Sequence, residues 1–136
     1  MKKLLSICVC IVLCVGVLVS CGAKLPEGMQ EETVITEAER FIALLNAAKY
    51  TDAAATMDAT MQAALEKDGQ KADAALEAIW APVAEKIGAF EKIDKSAVSA
   101  KDGFAVIALL AKYQNSNVVF TLSYDTDMKL AGFYYK

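Results

Sequence analysis

The chain is predicted to fold as an α+β domain, with N-terminal helices packed on an antiparallel sheet of about four strands. Three observations carry that prediction. Up to Gly88, apolar residues recur every three or four positions, the period of an amphipathic helix. From Ala89 the pattern changes to that of strands, and the strand-like runs are joined by short turn-forming links, which suits a meander. Helices that all precede the strands place them together as one layer on the sheet.

The chain starts with a different kind of segment. Lys2 and Lys3 precede an apolar run of 16 residues, Leu4 to Val19, and Leu18, Val19, Ser20, Cys21 are followed by Gly22. A charged start, an apolar stretch and small residues at its border make a secretory signal. The cysteine after Ser20 resembles the lipobox cysteine of bacterial lipoproteins. That resemblance implies cleavage between Ser20 and Cys21, a diacylglycerol on the Cys21 thiol, and further acylation, as by palmitate, at the new amino group. The competing reading is an uncleaved transmembrane helix, but the run falls short of the roughly 20 apolar residues that span a hydrocarbon core. Both readings put the remaining chain outside the cytoplasm, because Lys2 and Lys3 stay inside. Acyl chains contribute about 0.8 kcal/mol per buried methylene, so two or more hold a protein stably. The expected location is therefore the cell membrane, lipid-anchored on its extracytoplasmic side.

Cleavage would also remove Cys8, Cys10 and Cys14, leaving Cys21 for the lipid and no thiol for a disulfide. Residues 1–20 are read as the signal peptide, 21–33 as lipidated cysteine and tether, and 34–136 as one domain that must stand on its hydrophobic core. From Cys21 onward, 12 basic and 17 acidic side chains give a formal charge of −5. The lysines alternate with carboxylates along the chain, as in Glu91, Lys92, Asp94, Lys95, Lys101, Asp102, so no basic stripe is seen and nucleic acid is not an expected partner. The chain has no histidine. That removes the usual base at neutral pH and the usual imidazole ligand, so no cofactor and no metal is expected.

Gly22 to Thr33 lacks an apolar period and reads as a tether of twelve residues, which at about 3.3 to 3.6 Å per residue reaches roughly 40 Å when extended. Ile35, Ala38, Phe41, Ile42, Leu45 and Ala48 form the stripe of a helix over about Val34 to Ala48. Thr51 is a candidate N-cap for a short Ala-rich helix and Asp58 for another ending at Lys67. A longer helix follows from Lys71 to Gly88, with Leu76, Ile79, Trp80 and Val83 as its heavy apolar positions. Pro82 is expected to break or kink it near Ala81. Alanine buries little, so packing should rest on Phe41, Leu45, Met57, Met61, Leu65, Leu76, Ile79 and above all Trp80.

The expected strands are Phe90 to Val98, Phe104 to Tyr113, Val118 to Asp125 and Met128 to Tyr135. The second, FAVIALLAKY, is apolar at nearly every position, which predicts burial on both faces.

An amphipathic helix, a break at Asn46 to Tyr50, Ala-rich helices, a helix carrying Trp80, then Gly88, Ala89, Phe90 and Ile93 entering a meander that closes on Lys129, Leu130, Ala131, Gly132, Phe133: this order resembles the exported DUF3887 domain from about Thr33 to Lys136. The resemblance implies an NTF2-like cone, in which helices pack on a curved sheet and enclose a pocket. It brings no catalytic residues. It also implies pairing through sheets, so a homodimer is one expected cover for the outer face of Phe104 to Tyr113; a curled sheet covered within one chain is the other.

Tyr113, Phe120, Tyr124, Phe133 and Tyr134 are the candidate ligand-pocket residues, able to line the mouth of a cone around a small apolar ligand. The plainer reading makes them ordinary strand aromatics. A pocket enzyme would need a carboxyl beside a tyrosine hydroxyl. Only Glu91 or Asp94 could supply one by pointing inward, since Asp102, Asp125 and Asp127 fall in turns. Asp125, Thr126, Asp127 reads as a hairpin turn, lacking the further ligands of a calcium loop. The expected function is a membrane-anchored, non-catalytic binding or accessory module for a small apolar ligand or another envelope protein. The alternative is a pocket enzyme using tyrosine and carboxylate.

Overall fold

A computed structural model of the chain describes residues 24–136; Ser20, Cys21 and the rest of the signal lie outside the described residues. The order is α1 (Glu31–Asn46), α2 (Tyr50–Ala55), α3 (Ala59–Leu65), a 3-10 turn (Lys67–Gly69), α4 (Ala72–Ile87), β1 (Phe90–Lys101), β2 (Phe104–Tyr113), β3 (Asn117–Tyr124) and β4 (Leu130–Tyr135). The strands form one antiparallel sheet in the order β1-β2-β3-β4. The fold class is therefore α+β, with helices first and a curved, unclosed four-stranded meander after them.

Helix α1 begins earlier than its apolar stripe suggests, and Leu25 and Met29 already pack against the core. It buries Val34, Ala38, Phe41, Ile42 and Leu45 and ends at Asn46, not Ala48. Ala48 takes a left-handed φ of 56°, and the Lys49 N–H donates back to the Leu44 carbonyl at 2.9 Å. This terminus usually carries glycine, so an alanine there hides the helix end from sequence reading. Asp58 caps α3 as expected, its Oδ1 accepting from the Met61 N–H at 2.7 Å. Thr51 is no cap. It sits inside α2 and its hydroxyl donates to Asp73 Oδ2 at 2.9 Å, tying α2 to α4.

Pro82 does not break α4, which runs through it to Ile87. The carbonyl that loses its donor belongs to Ala78; both Ala78 and Pro82 are exposed, so water can satisfy the freed group. Ile79 is likewise 41 % exposed and contributes nothing to the core, while Leu76 and Trp80 are fully buried. The helix stops at Gly88, whose φ of 82° and ψ of −159° lie in a region open essentially to glycine alone. The β2–β3 turn holds this junction. The Asn115 N–H donates to the Ile87 carbonyl and the Gln114 N–H to the Ala89 carbonyl, both at 2.8 Å.

The register separates two sheet faces. Ala105, Ile107, Leu109, Ala111 and Tyr113 of β2 face the helices, level with Tyr124, Leu122, Phe120 and Val118 of β3, and all are buried. The other face of β2, with Val106, Ala108 and Leu110, is only half-buried, so the expected burial on both faces is not met among the described residues. Its apolar residues are flanked by β1 and β3. On the far edge, Met57 bridges Leu130 in parallel, with the Asp58 N–H donating to the Leu130 carbonyl and the Leu130 N–H to that of Thr56. The helical layer thus caps the start of β4. Among the described residues the buried cluster runs from Val34 to Leu130.

A Cβ at position 88 would meet the Asn115 amide nitrogen and Gln114 Cβ at 3.0 Å. Gly88→Ala should lower stability by about 1–3 kcal/mol through backbone strain, measured by urea denaturation followed on the fluorescence of the single tryptophan.

Candidate functional site

The helix-facing side of the sheet collects aromatic rings because β2 turns Tyr113 there, β3 turns Phe120 and Tyr124, and β4 turns Phe133 and Tyr135, with Phe120 directly opposite Tyr135. Trp80 comes down from α4 into their midst, with centroids 5.4 Å from Phe120, 5.4 Å from Tyr135 and 6.3 Å from Tyr113. Phe133 stacks on Phe120 at 6.3 Å and meets Phe41 of α1 edge-on at 5.3 Å. Tyr113, Phe120 and Phe133 are therefore brought together as the sequence suggested, and Tyr124 is buried on the same face. Tyr134 is not among them. Alternation in β4 turns it, opposite Thr121, to the other face, where it is 73 % exposed. Trp80, Phe41, Tyr135 and Asn46 complete the group. Sequence reading placed Trp80 and Phe41 in the core, yet nothing in the spacing of Asn46 marked it.

Polar atoms in this interior are few. The Tyr113 hydroxyl donates to Asn46 Oδ1 at 2.8 Å. Asn46 Nδ2, Trp80 Nε1 and the Tyr124 hydroxyl are buried without a protein partner. Buried donors left alone cost about 1–3 kcal/mol each, so a partner there would be a gain. Burial pushes the Tyr113 hydroxyl up to about 12, with the Asn46 bond pulling the other way. Burial raises Tyr124 too, helped by the negative charge of Glu37. Neither hydroxyl bonds to a carboxylate. Asp94 points away, 3.8 Å from Lys92 Nζ and 3.7 Å from Lys112 Nζ, and Glu91 is exposed. The chemistry on offer is apolar contact plus hydrogen-bond donation. Among the described residues no group of three or more acidic side chains, cysteines or histidines is placed to hold a metal ion.

A shallower recess lies outside the core, about 330 Å³ between α1 and β1, lined by Glu39, Ile42, Ala43, Phe90, Lys92 and Ile93. The outer sheet face carries its own pattern. Lys92 is opposite Lys112, Lys95 opposite Leu110, Lys101 opposite Phe104, and Lys136 exchanges backbone bonds with Val119, so five lysines share this face, with Asp94 set between Lys92 and Lys112.

Comparison with known proteins adds a family and a fold. Residues 38–133 match a family described as a protein of unknown function (DUF3887). A protein from Ruminococcus gnavus ATCC 29149, solved by NMR, superposes with a TM-score of 0.62 at 26% identity, covering 83% of this chain and 96% of its own. No curated protein matches.

Tyr113 gives a pH dependence with a fixed sign. Its folded pKa lies above the ordinary value near 10, so folding favours the protonated hydroxyl. That contribution is complete below about pH 10 and is lost as the pH rises towards about 12. Stability measured by urea titration should fall across that window. Tyr113→Phe should flatten the fall and remove about 1 kcal/mol at neutral pH with the bond to Asn46.

Proposed function

Because the chain belongs to the DUF3887 family, whose function is unknown, we propose its role from what its own residues can do. It is an exported lipoprotein, held on the extracytoplasmic side of the cell membrane by acyl chains on Cys21. Its NTF2-like domain is a non-catalytic binding module for a small, largely apolar ligand that carries an acceptor oxygen. One observation carries the binding reading. An aromatic interior of Trp80, Tyr113, Phe120, Phe133 and Tyr135 holds two donors, Trp80 Nε1 and Asn46 Nδ2, that find no acceptor in the protein. Apolar walls with a few aimed polar groups are what small-molecule sites are made of. The buried hydroxyls of Tyr113 and Tyr124 make no hydrogen bond to a carboxylate, the contact that proton-transfer chemistry would use, and Glu37 acts on Tyr124 through its charge alone, which favours binding over catalysis. The anchor reading is supported by Lys2, Lys3, the apolar run and the Ser20–Cys21 border.

Two experiments test the two halves. Cys21→Ala should abolish incorporation of labelled palmitate and leave the protein out of the membrane fraction as a mature anchored form; unchanged labelling would end the lipoprotein reading. For the ligand, the protein from Gly22 onward, purified from its own host, should show by native mass spectrometry a bound mass that organic extraction removes. The mass should be absent in Trp80→Phe, which keeps the ring packing and loses the donor. A bare protein mass, with water alone on the buried donors, would overturn the ligand.

A further inference from the structure

We propose that the outer face of the sheet is a docking surface for the anionic phospholipid headgroups of the membrane that carries the anchor. The inference rests on the lipoprotein reading for its geometry but not for its chemistry. Lys92, Lys95, Lys101, Lys112 and Lys136 share this face, and Asp94 pairs with two of them, Lys92 at 3.8 Å and Lys112 at 3.7 Å, leaving Lys95, Lys101 and Lys136 without an ion pair among the described residues. The rest of the domain has the opposite sign. Residues 24–88, which contain the helices, hold six basic and twelve acidic side chains, whereas residues 89–136 hold six and five. The domain is therefore polarised, with the sheet face its positive end, and a negative plane would turn that face towards itself.

The apolar residues of the face fit the same partner. Phe104 is 37 % exposed and Tyr134 73 %, and both stand among the lysines, Phe104 directly opposite Lys101. Aromatic rings with basic neighbours suit the headgroup region of a bilayer, where the lysine stems lie along apolar surface and their ammonium groups stay with phosphate. A second copy of the chain fits less well. Two such faces brought together would set five lysines against five, with Asp94 on each side already engaged by Lys92 and Lys112.

Chain length brings the surface within reach. Leu25 already packs against the core. Only residues 22–24 separate it from Cys21, so the first packed residue lies no more than roughly 14 Å from the lipidated one at about 3.3 to 3.6 Å per residue. The twelve-residue tether read from the sequence is shortened at its far end, so the attachment point is held close to the bilayer, within about two screening lengths of about 8 Å at physiological salt.

The test uses the protein from Gly22 onward without lipid, the chain that remains once the signal is cleaved and the anchor left off. It should co-sediment with vesicles of phosphatidylglycerol and phosphatidylcholine, not with phosphatidylcholine alone, and high salt should release it. Lys95→Glu with Lys101→Glu should lower that partitioning at least about tenfold, given the attraction each basic residue supplies near an anionic surface. Lys67→Glu with Lys71→Glu makes the same change of net charge in the helical layer and should leave it unchanged. Trp80 emission reports whether each variant is folded. Equal binding to both vesicle types overturns the proposal, as does equal weakening by both pairs, which would reflect net charge alone. A dimer by sedimentation at working concentration would put a second copy on the face and overturn it too. Loss of the Cys21 reading would appear in the palmitate experiment and leave the vesicle result standing.

Discussion

The fold depends on one indole. Trp80 is the side chain through which α4 reaches the sheet, and it fills the helix-facing side against Phe120, Tyr113 and Tyr135. Alanine is the commonest residue of α2, α3 and α4, and it forms helix readily and supplies little buried area. A few large residues must then carry the packing, and Trp80, fully buried, is the largest. Its position follows from two local constraints at the end of its helix. Gly88 turns the chain where only glycine can, and Asn115 and Gln114 of the β2–β3 turn pin that reversal. Helix, junction and sheet are thus one unit, and the same ring brings a buried N–H donor without a protein partner into the core.

Much of this architecture was legible in the sequence because its signals are periodic. The change of period at Gly88, the turns between strands and the cap at Asp58 all act over a few residues, where composition reads true. What escaped has equally physical causes. Pro82 looked like a breaker, but the bond it removes lies on the wet side of α4. FAVIALLAKY looked buried on both faces, yet half-burial by flanking strands is enough for Val106, Ala108 and Leu110. In β1 the register shifts between Phe90 and Lys92 and between Ile93 and Lys95. Inward positions then fall at Ile93, Ser96 and Val98, a spacing that blurs the period of two.

The candidate site was partly visible for the same reason. Tyr113, Phe120, Tyr124 and Phe133 could be named as strand aromatics, but which face each takes depends on register, and one residue of slip separates Phe133 from Tyr134. Asn46 could not be found that way. It stands at the end of α1 and reaches Tyr113 from a separation of 67 residues. The gathering of lysines is a third case, since Lys92, Lys95 and Lys101 meet Lys112 on one face only through the pairing of β1 with β2, shifts included.

The polar inventory of the core has a consequence for tolerance of acid. Among the described residues no charged side chain is buried, and the chain has no histidine. Packing these residues therefore asks no carboxylate or ammonium to leave water, and the titratable side chains within their core are tyrosines, which ionise only in strong alkali. Acidification of the surroundings then meets, in this core, no buried group that must change charge.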